Sequence, residues 1–155
     1  MIYVINGEPN SGKDSFVEFC CGTTKKVRNI SSIDCIRKAS KELRMQGDRK
    51  FLCELKRFAD YYCDHSFQYL KSELGKANYD VAFVHIREPE NIDRFRRAYP
   101  FSKAILLIRL EYEDSRVLWA KSDNLVHDYK GYDITIKVKN LDDLRKEAIK
   151  LMESI

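Results

Sequence analysis

The chain has 155 residues, 44% of them apolar and 34% charged, a composition that fits one globular domain over residues 1–155 and excludes disordered, collagen-like and mucin-like chains. The net charge of +4 is too small to indicate a dedicated nucleic-acid-binding protein. No apolar run approaches the ~20 residues of a membrane helix, and the first residues lack the basic and apolar regions of a signal peptide, so we expect a cytoplasmic protein.

Three short apolar runs, each bounded by polar or turn residues, predict buried strands. They span Ile2–Asn6, Asp80–Ile86 and Lys103–Arg109. Because their apolar residues are nearly continuous, we expect a sheet that is covered on both faces. A weaker run at Val27–Ser31 and an alternating run at Tyr132–Val138 complete a five-stranded sheet, with the last strand at an edge.

The segments between these strands carry helical patterns. The predicted helices span Ser11–Cys21, Ile33–Met45, Arg49–Leu74, Glu88–Ala98 and Leu141–Met152. Gly47 is a C-terminal signal for the second helix, and Pro89 lies in the first turn of the fourth, where proline is tolerated. Strands that alternate with helices predict a mainly parallel α/β sheet with right-handed crossovers.

Residues 7–13 read Gly-Glu-Pro-Asn-Ser-Gly-Lys, which fits the pattern G-x-x-x-x-G-K directly after a strand and at the start of a helix. In this setting backbone N–H groups bind an anion, and the glycines let the backbone approach phosphate closely. We expect Lys13 to reach the β- and γ-phosphates of ATP. The residues expected to bind this cofactor are Gly7, Asn10, Ser11, Gly12, Lys13, Asp14 and Ser15.

The position after Lys13 departs from the usual pattern, in which a Ser or Thr hydroxyl binds Mg²⁺. Asp14 takes that position here, and Ser15 follows one residue late. Because a carboxylate is a good magnesium ligand, Asp14 and Ser15 are the candidate metal residues. The alternative is that Asp14 is a first-turn acid favoured by the helix dipole.

Two segments resemble a known family. Asn6–Val17, with Ser-Gly-Lys-Asp-Ser, resembles the phosphate loop of the deoxynucleoside monophosphate kinases of phages and bacteria, which typically reads Ser-Gly-Lys-Asp-Thr. Val84–Asn91 resembles that family's third-strand motif, Asp-Val-Arg-Phe-Pro-Asn-Glu, with Arg87 at the arginine and His85 at the aspartate. Parts of residues 30–52, 122–124 and 132–133 also resemble short relatives with this organisation.

The resemblance implies a three-layer P-loop NTPase fold, with a mostly parallel five-stranded sheet flanked by helices. It also implies Mg²⁺-dependent transfer of a phosphoryl group from ATP to a nucleoside or deoxynucleoside monophosphate, with Arg87 on the acceptor phosphate. Arg87 and Arg109 each end a strand, at the sheet edge where ligands of open α/β folds bind. For Arg87 the alternative is an ion pair with a neighbouring glutamate. The catalytic candidates are Lys13, Asp14, Arg87 and Arg109.

By the same resemblance, the helix that begins with Arg49 and Lys50 borders the acceptor pocket. The candidate acceptor-binding residues are Ser32, Asp34, Arg37, Arg49, Arg87 and Glu88. Ser32 is also a candidate helix N-cap. A solvated helix face is the alternative for Arg37, Lys38 and Lys50. A short segment with Arg116 and Trp119 takes the position of the lid that nucleotide kinases carry.

His85 lies where this class keeps a carboxylate near Mg²⁺, and neutral imidazole is a poor magnesium ligand. Either Asp14 supplies the carboxylate, or the protein binds nucleotide without efficient transfer; Glu88 is a second carboxylate at the same sheet edge. His65 and His127 have no spacing that suggests chemistry. The five cysteines include no Cys-x-x-Cys pair, so we expect buried thiols rather than disulfides or zinc ligands.

The leading hypothesis is a small kinase whose partners are a nucleoside triphosphate and a nucleoside monophosphate. Two alternatives remain open. One is a nucleotide-binding regulatory or interaction module with weak turnover, and the other is a kinase of a non-nucleotide small molecule, because similar folds serve several substrates. The sequence leaves the base, the sugar and the oligomeric state open, a homodimer included.

Overall fold

The computed structural model describes residues 1–45, 48–76, 78–110 and 126–155. Its strands are β1 Ile2–Gly7, β2 Val27–Ser31, β3 Val81–His85, β4 Lys103–Arg109 and β5 Ile134–Val138. Its helices are α1 Lys13–Cys21, α2 Asp34–Glu42, α3 Arg49–Cys63, α4 His65–Lys76, α5 Pro89–Ala98 and α6 Leu141–Glu153. None of these helices is long and apolar enough to cross a membrane.

The five strands form one sheet in the order β2-β3-β1-β4-β5, and every strand pair is parallel. This arrangement confirms the predicted α/β fold. It also confirms β5 as an alternating edge strand, because Ile136 and Val138 are buried while Thr135 and Lys137 are exposed. Since all strands run the same way, their carboxyl ends meet at one edge of the sheet, with β1 at its centre.

Helices cover both faces of the sheet, and successive residues of β1 alternate between them. On one face Tyr3 and Ile5 pack with residues of α1 and α6, including Phe16 and Leu144. On the other face Val4 packs with residues of α4 and α5, among them Leu70, Ile92 and Phe95. Each large apolar side chain buried here contributes about 1.5–3 kcal/mol of transfer free energy. The result is three layers with two apolar cores.

The prediction of one helix over residues 49–74 is wrong, because the chain breaks at Asp64. Asp64 has a left-handed backbone with φ 53°, which ends α3, and α4 begins at the next residue. The Asp64 carboxylate pairs with Arg94 of α5, which holds the break in place. The prediction followed apolar residues at helical spacing. Two of them, Phe58 and Tyr62, are 62% and 70% exposed rather than buried.

Two smaller predictions also fail. Ser32 is not the N-cap of α2; Ile33 holds that position without a side-chain cap, and the Asp34 carboxylate accepts a hydrogen bond from the Ser31 N–H at 2.9 Å. Tyr132 does not begin β5, because its hydroxyl is engaged near the end of β1. Helix α2 ends at Glu42; Gly47, its predicted stop signal, lies outside the described residues.

Candidate functional site

The loop over residues 7–12 joins the central strand β1 to α1 and lies at the carboxyl edge of the sheet. At Gly7 an added Cβ would lie 2.5 Å from the Leu107 carbonyl oxygen, so a side chain there would collide with β4. Gly12 is the N-cap of α1 with φ 93°, and Asn10 is left-handed with φ 59°. These backbone conformations curl the loop over the N-terminus of α1, which is the geometry that binds phosphate.

The Lys13 ammonium folds back over this loop. Lys13 Nζ donates to the carbonyl oxygens of Gly7 at 2.7 Å and Glu8 at 2.6 Å, and contacts Ser11 Oγ at 3.2 Å. Ser11 itself is buried. A positive charge is thus held beside the N-terminus of α1, where the helix dipole also favours an anion.

A cleft of about 630 Å³ opens beside the loop, along the carboxyl ends of β1, β2 and β3. It brings together most of the acceptor and catalytic candidates. The predicted site residues that line it are Lys13, Asp14, Ser32, Asp34, Arg37, Arg49, Arg87 and Glu88. Ser15 and Arg109 are not among the described lining residues; Ser15 is half-buried in α1, and Arg109 is exposed at the end of β4.

Asp14 presents an exposed carboxylate to the cleft from the first turn of α1. Within the described ranges, no group of three or more His, Cys, Asp or Glu side chains forms a ready metal cage. Mg²⁺ does not require one, since it commonly takes one or two protein carboxylates and keeps water and phosphate oxygens as its other ligands. The single carboxylate of Asp14 therefore fits a Mg²⁺ ion that also binds phosphate.

His85 ends β3 at the wall of the cleft, and its Nε2 lies 2.8 Å from Asn29 Oδ1. Burial lowers the pKa of His85 to about 4, although the nearby Asp14 carboxylate opposes this shift. The imidazole is therefore neutral at pH 7. The position that the resemblance assigns to a metal-shell carboxylate carries no negative charge in this chain.

On the far side of the cleft the carboxylates are paired with cations. Lys56 Nζ donates to Glu88 Oε1 at 3.0 Å, and Arg37 donates to Asp34 Oδ1 at 3.3 Å. Burial alone would raise the pKa of Glu88, but the Lys56 charge and several hydrogen bonds lower it overall. Glu88 is therefore ionised and a weak base. The Glu88 carboxylate forms an ion pair with Lys56 of α3.

Lys56 is a functional candidate that the sequence does not reveal. Only 9% of its surface is exposed, and it lies in the middle of α3, where a lysine normally faces solvent. The other lysines considered near this pocket behave differently. Lys50 is exposed and lies outside the described cleft lining, and Lys38 contacts the Tyr69 hydroxyl at 3.2 Å.

A second cavity of about 180 Å³ adjoins the cleft, with the Lys56–Glu88 ion pair in the lining of both. Its charged side chains are ion-paired, Arg94 with Asp64 and Lys56 with both Glu88 and Asp60, so two cations meet three carboxylates among the described lining residues. Its neutral polar lining includes Ser66 and Asn91. The charges of this second cavity are therefore paired among themselves.

Asn6, near the end of β1, is a second candidate that motif analysis passes over, and it is fully buried. Its Oδ1 accepts from the Gly7 N–H at 2.9 Å, while its Nδ2 donates to the Tyr132 hydroxyl at 2.8 Å and to the Arg87 carbonyl at 3.3 Å. The sequence did contain one indication of a functional role, because Asn6 is a polar residue at the end of the predicted apolar strand Ile2–Asn6. Asn6 thus contacts the loop, the Arg87 backbone and the segment before β5.

The predicted lid residues Arg116 and Trp119, and the tract 122–124, lie outside the described residues. The chain that follows them returns to the loop, where His127 Nε2 lies 2.7 Å from Glu8 Oε1. His65 is exposed at the start of α4. Of the five cysteines, Cys20 and Cys35 are buried as expected, whereas Cys53 is half-buried and Cys21 and Cys63 are exposed.

No protein-family model matches the sequence, and no curated protein matches it. The structure resembles that of a shikimate kinase from Aquifex aeolicus with a TM-score of 0.61, at 16% identity over 99% of this chain and 96% of that one. It also resembles TT1252 from Thermus thermophilus with the same score, identity and coverage. The deoxynucleoside monophosphate kinase family is not confirmed by these comparisons and stays a prediction. What the likenesses show is the fold, a three-layer α/β fold similar to that of the shikimate kinase.

Proposed function

We propose that this protein transfers the terminal phosphoryl group of ATP to a nucleoside or deoxynucleoside monophosphate. The observation that carries the proposal is that one cleft is lined both by Lys13 of the phosphate loop and by Arg87 and Arg49 from other elements. Phosphoryl transfer depends mainly on positioning and charge neutralisation. A cradle for the donor phosphates and cations for an anionic acceptor in the same cleft meet both needs.

The donor half uses the loop. Backbone N–H groups of the loop hold the β- and γ-phosphates, except those of Gly7 and Ser11, which donate to Asn6 and Glu8. The Lys13 ammonium exchanges the Gly7 and Glu8 carbonyls for phosphate oxygens. Asp14, with Ser15 as the second candidate, would hold Mg²⁺, which would supply positive charge for these phosphates. Arg109, at the end of the neighbouring strand β4, is kept as a further candidate cation.

The chemistry favours a phosphate oxygen as the attacking group. In the transfer the bond from the γ-phosphorus to the bridging oxygen of ADP breaks, and a new phosphorus–oxygen bond forms to the acceptor. A phosphate acceptor is already ionised at pH 7, so no general base is needed. Of the carboxylates that line the cleft, Asp14 is the candidate Mg²⁺ ligand, and Asp34 and Glu88 are ion-paired. They are poorly suited to remove the proton that a sugar hydroxyl acceptor would have to lose.

The cleft and the adjoining cavity differ in charge, and this difference favours an acceptor with one anionic end and one neutral polar end. Arg87, Arg49 and Arg37 bring guanidinium groups to the cleft, and guanidinium binds phosphate well. In the adjoining cavity the two described lining cations are already ion-paired, and Ser66 and Asn91 offer neutral polar groups. A nucleoside monophosphate has this distribution, with Ser32 and Asp34 near its sugar. Cleft volumes of about 300–1,000 Å³ are typical of small-molecule sites.

A nucleotide-binding module with weak turnover is the second candidate, and His85 favours it. The imidazole is neutral at the position where the resemblance calls for a metal-shell carboxylate. If Asp14 does not replace that carboxylate, donor binding survives while transfer is slow.

The test is coupled ADP release from Mg²⁺–ATP, screened over all ribonucleoside and deoxyribonucleoside monophosphates, with ribose 5-phosphate and shikimate as acceptors that lack a base. We expect turnover with one or more nucleoside monophosphates and none with the base-free acceptors. ATP binding without turnover on any acceptor would favour the weak-turnover module. Turnover on a base-free acceptor alone would overturn the nucleotide assignment.

Arg87→Ala then separates acceptor from donor. Loss of a charge-assisted hydrogen bond costs about 1.5–3 kcal/mol, so the acceptor KM should rise by at least tenfold while the Kd for ATP stays nearly constant. Arg97→Ala, an exposed arginine of α5 outside the described cleft lining, is the matched control. Equal losses of ATP and acceptor affinity would place Arg87 on the donor or in a structural role.

A further inference from the structure

One buried amide lies where the two halves of the cleft meet. Asn6 belongs to the central strand β1, between β3, which leads to Arg87, and β4. Its side chain is 0% exposed. The three groups that it binds belong to three separate parts of the chain: the loop at Gly7, the turn at Arg87 and the segment at Tyr132.

The hydrogen bonds define the orientation of this amide. Oδ1 faces the Gly7 N–H, so Nδ2 must donate, and it meets the Tyr132 hydroxyl and the Arg87 carbonyl. The Tyr132 hydroxyl in turn donates to the Val126 carbonyl at 2.8 Å. The Asn6 amide and the Tyr132 hydroxyl therefore both have hydrogen-bond partners, and buried hydrogen bonds in series strengthen one another. Rotation of the amide would leave the Gly7 N–H facing Nδ2.

We propose that Asn6 is a positioning residue that fixes the Arg87 backbone against the phosphate loop, with Tyr132 holding the Asn6 amide in the required orientation. The proposal rests on the proposed function, because it concerns the distance between the donor cradle and the acceptor arginine. Asn6 lies in the cleft wall, but its amide binds protein groups and is neither an acid nor a base at neutral pH. It acts through Gly7 on the donor side and through the Arg87 carbonyl on the acceptor side.

This arrangement predicts a specific kinetic signature. Without the Asn6 amide the loop keeps its glycines and Lys13, so donor binding persists. The Arg87 carbonyl loses its hydrogen bond from Asn6, although β3 still pairs with β1 at His85. The Arg87 guanidinium is then no longer held at a constant distance from the donor. Reacting groups must be held within tight limits, and the loss should therefore appear in acceptor KM and in kcat, and little in ATP affinity.

The experiment compares three variants with the wild type. Asn6→Ala removes all three hydrogen bonds, and Tyr132→Phe removes only the hydroxyl that orients the amide. Tyr129→Phe is the control, because it keeps the ring that packs edge-on against Tyr132 and removes only a hydroxyl that contacts Asp93 and Arg96. We expect Asn6→Ala to raise acceptor KM about tenfold and Tyr132→Phe about threefold. ATP Kd should change less than twofold in both, and Tyr129→Phe should affect neither.

Equal loss of donor and acceptor affinity, or an acceptor KM unchanged in Asn6→Ala, would overturn the proposal. A crystal structure of each variant gives a second measurement that does not need turnover. The proposal requires the Arg87 backbone to move away from β1 in Asn6→Ala, and an unmoved Arg87 backbone would contradict it even in an inactive protein. Absence of transfer in the wild type would count against the proposed function and leave this structural comparison intact. If Asn6→Ala does not fold, Tyr132→Phe carries both measurements.

Discussion

The two halves of the cleft are built in different ways. The donor half consists mainly of backbone: the loop over residues 7–12, its two glycines and the carbonyls that hold Lys13 lie within a few residues of one another. The acceptor half consists of side chains from distant elements, such as Lys56 of α3 paired with Glu88, which precedes α5. One half depends on local conformation and the other on long-range ion pairs.

Because of this difference, we expect the two halves to respond differently to the substitution of a single side chain. A backbone cradle persists when a single side chain changes, because its N–H groups remain. An ion-paired wall does not, because removal of one charge leaves its partner without compensation in a poorly solvated place. We therefore expect mutations in the donor half to change ligand binding with little effect on stability. Mutations in the acceptor half should change both.

Lys13→Ala is the strongest test of the donor half. A ligand at 100 times its Kd stabilises a protein by about 2.7 kcal/mol, and we expect most of this stabilisation by ATP to be lost in the variant. The ligand-free protein should unfold at nearly the wild-type temperature. Thermal unfolding with and without ATP measures both values, with Lys146→Ala, an exposed residue of α6, as control. A full ATP shift in Lys13→Ala would show that the loop does not use its lysine.

Lys56→Met makes the converse test in the acceptor half. The Lys56 and Glu88 side chains are 11% and 25% exposed, so an unpaired Glu88 should destabilise the fold by about 2 kcal/mol, less than for a fully buried pair. Urea unfolding measures the loss. The double variant Lys56→Met/Glu88→Gln should recover much of it, because Glu88 is then neutral and Asp60, which also lies 3.6 Å from Lys56, keeps the hydrogen bond from the Ser66 N–H. A stable single variant would mean that the acceptor wall does not depend on this ion pair.

Asp14→Asn tests whether the donor half includes a metal ligand. We expect Mg²⁺ to raise wild-type ATP affinity about tenfold, or 1.4 kcal/mol, because the ion screens Asp14 from the phosphates and binds both. Asp14→Asn should bind metal-free ATP at least as well and gain little from Mg²⁺. Calorimetric titration of ATP with Mg²⁺ and with EDTA gives the four affinities. An equal response to Mg²⁺ in both proteins would leave Asp14 as a first-turn acid.

His85→Gln should have the smallest effect and appears only as a pH dependence. The pKa of His85 is lowered to about 4 in the folded protein by burial, so below an unfolded pKa of about 6.5 the unfolded chain binds a proton that the folded chain does not. The free energy of unfolding should fall between pH 7 and 5.5 by about 1 kcal/mol more in the wild type than in His85→Gln. Parallel pH profiles would show that His85 is not held neutral.

The same difference explains what the sequence could predict. The strands and the loop follow from local patterns, such as the apolar run Ile2–Asn6 and the spacing of Gly7, Gly12 and Lys13. The acceptor wall does not, because Lys56 and Glu88 are 32 residues apart and Asn6 and Tyr132 are 126 apart. No periodicity reports such pairs. The error over residues 49–74 has a similar cause, since the break at Asp64 is held by Arg94 from another helix.

The parallel sheet also has a consequence for the time at which this protein can fold. Ile2 of β1 pairs with Ala82 of β3, 80 residues later, and the β4 partners of β1 come later still. At the usual 5–20 residues per second of synthesis, β1 waits roughly 4–16 s for its first neighbour. During that interval an apolar strand with two unpaired edges leaves the ribosome, which is a hazard for aggregation. The phosphate loop, which follows β1, therefore forms only after β3 has been made.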